Sequence, residues 1–137
     1  MKKSVAKTVV LDASAMLALI QDERGAEIVS SAMEDGSNVL VSSVNLCEVG
    51  TKLVREGGSP AKVLIGLEPF LDYAVDFDPE QAISAAQLYR VTKPYGLSLG
   101  DRACIALALS RNATIFTTDH AWTKLKLAAR VELIRRT

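Results

Sequence analysis

Thr8-Val9-Val10-Leu11-Asp12-Ala13-Ser14 is the stretch on which the fold turns. Thr8 to Leu11 is a short, β-branched-rich apolar run of the kind that forms a buried strand. It stops at Asp12, and Ser14 is placed to cap a helix whose apolar positions include Met16, Leu17, Leu19 and Ile20. A buried strand passing directly into a helix is how an α/β unit begins.

The remainder of the chain continues the alternation. A helix is expected from Arg24 to Met33, with Ala26, Val29 and Met33 inward, followed by turn chemistry at Asp35-Gly36-Ser37-Asn38. Val39-Leu40-Val41 reads as a second buried strand. Ser43 is then placed to cap a helix from Val44 to about Glu56 that ends at Gly57-Gly58. Pro60 opens a helix to about Leu71, and Tyr73-Ala74-Val75 is a short strand. Pro79 opens another helix through Tyr89, with Ile83, Ala86 and Tyr89 as its apolar stripe. Ser98 caps an apolar helix from Leu99 to about Ser110. Thr114-Ile115-Phe116-Thr117 and Val131-Glu132-Leu133-Ile134 complete the strands. Short unbroken apolar strands alternating with helices predict a parallel sheet covered on both faces.

The chain has 137 residues, the usual size of one domain, and no linker or repeat divides it. Sixteen Lys and Arg balance sixteen Asp and Glu. That zero argues against a nucleic-acid binder relying on bulk positive charge. Aromatic residues are 5% of the chain, too few for a base-stacking platform. A hydrophobic content of 49% excludes a disordered chain. The charge is unevenly placed. Glu68 to Glu80 carries five acids and no base, while Thr123 to Thr137 carries five bases against Glu132, a candidate footprint for a polyanion or simply a solvated face. Cys47 and Cys104 are too few for a disulfide framework or a zinc site, and both sit in apolar helical patterns as expected core residues. No secretory leader and no stretch of ~20 apolar residues is present, so a cytoplasmic location without membrane contact is expected. The mean hydropathy of +0.19 suggests apolar surface covered by another chain.

Three acids are predicted to converge. In open α/β sheets ligands bind beyond the carboxyl ends of the strands. Asp12 ends the first strand, Asp119 lies just past Thr114–Thr117, and Asp101 occupies the first turn after Ser98. Each has a local alternative as a cap, a turn residue or a partner of the helix dipole. Together, clustered carboxylates repel one another unless a cation joins them, and hard oxygen ligands suit Mg²⁺ or Mn²⁺. Glu48 is open on periodicity. Leu46, Val49 and Leu53 form the apolar stripe of its helix, whereas Glu48 falls on the other side near Asn45 and Lys52. A solvent-exposed Glu48–Lys52 pair and a cleft-facing Glu48 both satisfy the pattern.

These segments resemble the motifs of the PIN-domain ribonucleases. Val9-Val10-Leu11-Asp12-Ala13-Ser14 resembles the first motif, and Val44-Asn45-Leu46-Cys47-Glu48-Val49 the second. Leu97-Ser98-Leu99-Gly100-Asp101-Arg102-Ala103 is similar to the third, and Thr117-Thr118-Asp119-His120-Ala121-Trp122 to the fourth. The acids follow in the family's order, at spacings of 36, 53 and 18 residues. The third and fourth motifs look most like VapC-type toxins of toxin–antitoxin pairs. The resemblance covers nearly the whole chain. It implies a single PIN-like domain over residues 1–137, a three-layer α/β/α sandwich around a mainly parallel sheet. It also implies a metal-dependent endoribonuclease in which Asp12, Glu48, Asp101 and Asp119 are the catalytic acids and hold Mg²⁺ or Mn²⁺. Ser14 and Thr118 match supporting polar positions. An RNA substrate, a homodimer and a cognate antitoxin are the implied partners, and inhibition of translation the implied effect. Arg102, Lys124 and Lys126 lie near the motifs as candidate phosphate contacts, or as ordinary surface bases. His120, beside Asp119, is a loop histidine not needed as a base.

Two other classes compete. An Asp-based phosphatase of the haloacid-dehalogenase kind requires a second Asp where Ser14 stands, and a receiver domain fits poorly near Val75. A non-catalytic PIN-like binding module is the other, against which the presence of all four acids speaks.

Overall fold

A computed structural model describes residues 7–135. Strand β1 (Thr8–Leu11) leads into helix α1 (Ala13–Ile20), followed by α2 (Ala26–Glu34), β2 (Asn38–Ser42) and α3 (Ser43–Arg55). Next come α4 (Pro60–Leu67), a 3₁₀ segment (Glu68–Tyr73), β3 (Ala74–Val75), α5 (Pro79–Gln87) and the single turn α6 (Tyr89–Thr92). After a short 3₁₀ turn, α7 (Leu99–Arg111) precedes β4 (Thr114–Thr117), a last 3₁₀ segment (His120–Lys124) and β5 (Arg130–Leu133).

The five strands form one sheet in the order β3-β2-β1-β4-β5, and every pairing is parallel. The strand side chains alternate between two cores because successive residues point to opposite faces. Val9, Leu11, Val39, Val41 and Phe116 pack with Met16, Val29 and Val49 of the first three helices. Val10, Leu40 and Ile115 pack on the other face with Cys104, Ile105 and Leu107 of α7 and with Trp122. This is the expected three-layer α/β/α arrangement. The chain builds outward from β1 in both directions, so the order reverses between β1 and β4. That is the switch point where an open parallel sheet leaves a crevice at the carboxyl ends of its strands.

Several local expectations are corrected. Asp12, not Ser14, caps α1, accepting the Ala15 N–H at 2.8 Å. Ser42, not Ser43, caps α3, while Ser43 Oγ accepts the Phe77 N–H at 3.1 Å. The helix from Pro60 gives way to 3₁₀ geometry after Leu67. Ile83, Ala86 and Tyr89 are exposed, and α5 buries Gln81 and Ala85 instead. The packing of α5 against α7 decides which of its faces is buried. Cys47 is exposed and only Cys104 is core. Of the C-terminal bases, Arg136 lies outside the described residues. Among those residues no helix is long and apolar enough to cross a membrane.

Candidate active site

The carboxyl ends of β1 and β4 are laced together by hydroxyls. The Ser14 hydroxyl donates to Oδ1 of Asp12 at 2.6 Å, and the same Ser14 oxygen accepts the Thr118 N–H at 3.0 Å. Thr117 Oγ1 lies 3.4 Å from Ser14 Oγ and accepts the Asp119 N–H at 3.0 Å. Asp119 Oδ1 in turn accepts from the Ala121 N–H at 2.9 Å, capping the last 3₁₀ segment. Ser14 therefore holds Asp12 and fixes the first peptide beyond β4. Thr118 enters this lattice through its backbone. The buried hydroxyl side chain in it is Thr117, which sequence reading left inside the strand.

Asp12 is 4% exposed. Burial raises its pKa from 3.8 to about 6, against hydrogen bonds from Ser14, Thr117 and Ala15 that lower it, and the charge of Asp101 adds to the rise. No cation of the described residues is among these influences. Glu48 lies in the crevice, half-buried, and its pKa is likewise raised by burial and by Asp101, against an opposing bond from Asn45. Asn45 Nδ2 donates to Glu48 Oε1 at 2.8 Å and to the Gly100 carbonyl at 2.9 Å. The solvent pairing with Lys52 does not form, because Lys52 bonds Glu56 at 3.5 Å. Asp101 completes a capping box: its Oδ2 accepts the Ser98 N–H at 2.8 Å, and Ser98 Oγ accepts the Asp101 N–H at 3.2 Å.

The Cys104 thiol reports how these acids converge. Its pKa is pushed far up by burial and then by Asp12, Asp101 and Glu48 together. Three of the four predicted acids thus lie within electrostatic reach of one buried thiol on α7, and Asp119 is exposed. Among the described residues, no three acids, histidines or cysteines are close enough to form a ready-made ligand cage. All-carboxylate donors without a tight cage fit a hard ion that keeps part of its water shell, as Mg²⁺ does, and fit poorly with softer metals.

The predicted bases divide. Arg102 donates to the Ala85 carbonyl at 3.0 Å and lies over the Tyr89 ring at 5.4 Å, tying α7 to α5 and α6. Lys124 and Lys126 are exposed. An open groove of about 580 Å³ runs beside Glu48, lined by Ser43, Val44, Cys47, Thr51 and Arg55. Asn45 was missed by sequence reading, although its three-residue spacing from Glu48 puts both on one helix face.

Residues 9–127 match the PIN domain family. The chain belongs to the PIN domain family. No curated protein matches it. Solved structures similar to this PIN domain include VapBC2 from Rickettsia felis bound to a promoter DNA fragment, at 16% identity and a TM-score of 0.73, covering 92% of this chain and 98% of that one. DNA-bound VapBC from Salmonella typhimurium matches at 18% identity and a TM-score of 0.73, covering 96% and 100%. VapBC-5 from Mycobacterium tuberculosis, of the VapBC family of toxin–antitoxin systems, matches at 26% identity and a TM-score of 0.59, covering 94% and 98%. The likeness to PIN domains read from the four motifs, and to their VapC-type members read from the third and fourth, is borne out.

Proposed function

We propose that this single PIN domain is a VapC-like toxin: an Mg²⁺- or Mn²⁺-dependent endoribonuclease that hydrolyses RNA phosphodiester bonds and so inhibits translation. The observation that carries the reading is Asp12, a carboxylate buried at the sheet's switch point, whose burial resists its charge and to which the described residues supply no cation. A buried acid so placed is a poor structural choice and a good ion ligand.

Asp12, Glu48 and Asp101 would hold the ion, together with Asp119. When bound, the ion would offset negative charge on the phosphoryl oxygens and lower the pKa of an attacking water. The chain's own work is orientation. The Ser14 hydroxyl donates a hydrogen bond to Asp12 Oδ1, which favours the ionised carboxylate and aims it rather than leaving it free to rotate. Ser98 does the same for Asp101 through its backbone N–H. The exposed Lys124 and Lys126 would meet RNA phosphates, and the groove beside Glu48 offers a path for the strand. A cytoplasmic homodimer held in check by a cognate antitoxin completes the reading. The VapBC likeness supports the antitoxin, and the exposed apolar residues Leu64, Ile65 and Ile83 support covered surface.

The test is cleavage of total RNA by purified protein with Mg²⁺ or Mn²⁺, with chelator, and with Asp12→Asn. Cleavage that needs the ion and disappears in the variant is expected. RNA binding without cleavage, unchanged in Asp12→Asn, would instead favour a binding module.

A further inference from the structure

We propose that Asn45 is the positioning residue for Glu48, fixing its carboxylate across the contact between α3 and α7, with Gly100 providing the space. The inference rests on the metal-dependent reading above. Three observations support it.

The first is the use of the amide. Asn45 is 1% exposed, and both hydrogens of its Nδ2 are engaged, one by Glu48 Oε1 and one by the Gly100 carbonyl. Reversing the amide would set its oxygen against those two acceptors, so the orientation is dictated by the partners. The second is what the amide leaves undone. Its Oδ1 is buried and has no hydrogen-bond partner among the described residues. An unpaired buried acceptor destabilises a fold, so packing alone would be better served by an apolar side chain. The two donated bonds account for an amide here.

The third observation comes from the opposite helix. A Cβ built on Gly100 would overlap the Glu48 carboxylate, meeting its carbon and both oxygens. Any side chain at position 100 would therefore displace the acid. Gly100 directly precedes Asp101, so the Asn45 amide ties Glu48 to the backbone that carries another acid of the same site. A glutamate on a helix surface has several rotamers to lose before it can ligate. Here the donor and the missing Cβ select one of them before any ion arrives.

The test is Mn²⁺ binding by calorimetry and by the Mn²⁺ paramagnetic-resonance signal, alongside thermal unfolding. The proteins are wild type, Asp12→Asn, Asn45→Ala, Asn45→Ser, Gly100→Ala and Glu48→Gln. Asn45→Ala is expected to weaken Mn²⁺ binding by about 10- to 100-fold, as loss of a ligand-orienting partner does. In a Glu48→Gln background the same change should have no further effect, because Asn45 acts through Glu48. Asn45→Ser keeps a small polar side chain should Asn45→Ala not fold, and is expected to weaken binding in the same direction. Gly100→Ala should do so from the other helix. Folded Asn45→Ala and Asn45→Ser with wild-type Mn²⁺ affinity would overturn the proposal alone. Wild type that binds no Mn²⁺ would overturn the metal-dependent reading, and this proposal with it.

Discussion

The Ser14 hydroxyl donates a hydrogen bond to Oδ1 of Asp12 at 2.6 Å, with only Ala13 between them in the chain. The same Asp12 oxygen accepts the Ala15 N–H, so one carboxylate caps α1 and faces the crevice at once. A cap normally lies at the surface, where its charge is solvated. This one is buried, and the consequence is visible in its pKa of about 6.

Asp12 therefore works against the metal-free fold near neutral pH. The folded protein binds its proton more tightly than the unfolded chain does. Stability from this group is greatest below pH 3.8, falls as pH rises from 3.8 to about 6, and stays low above that. Asp12→Asn keeps the acceptor for Ala15 and removes the charge, so it is expected to stabilise the metal-free protein at pH 7 by about 1–3 kcal/mol. Chemical denaturation at pH 4.5 and pH 7 checks this. The gain should shrink at the lower pH, and a variant less stable than wild type at pH 7 would contradict it.

Asp101 raises the pKa of both Asp12 and Glu48. Asp101→Asn retains an acceptor for the Ser98 N–H but removes that charge. Both carboxyls should then ionise at lower pH, as followed by their carbon-13 chemical shifts through a titration. Mn²⁺ affinity should fall in the same variant, because one ligand charge is lost. Unmoved titrations would mean the three acids do not share a site.

Arg102 and the two lysines should separate cleanly. Arg102→Ala loses the bond to Ala85 and the contact with Tyr89, for an expected cost of about 1–2 kcal/mol in unfolding free energy. Lys124→Ala and Lys126→Ala should leave stability within about 0.5 kcal/mol. Each should lower RNA affinity and reduce the salt slope of binding by about 0.7. Equal salt slopes in wild type and both lysine variants would remove them from the RNA surface.

Gly25 has φ +98°, and a Cβ there would meet the Ile134 carbonyl oxygen at 2.7 Å. Gly25→Ala is expected to destabilise the fold by roughly 2–4 kcal/mol, read from urea unfolding. Gly25 is the N-cap of α2 and its Cβ would meet Ile134 rather than any of the four acids, so metal binding by the folded fraction should be unchanged.

The sequence by itself determined the strands, their alternation with helices and the order of the four acids. Those properties are local. An apolar run, a capping residue and a Pro in a first turn act within a few residues of themselves. The position of Asp12 was legible for the same reason, because it ends a strand whose every other residue is apolar or β-branched. Only the tertiary structure decided where Glu48 points. Its helix has one apolar stripe and a broad polar remainder, and periodicity does not say which part of that remainder another element will cover. The approach of α7, permitted by the missing Cβ of Gly100, covers the part bearing Asn45 and Glu48. The same cause exposed Ile83, Ala86 and Tyr89, which periodicity placed inward, and left Cys47 at the surface. In each case the deciding contact joins residues distant in the chain. No local pattern carries that information, because it is set by how the layers pack.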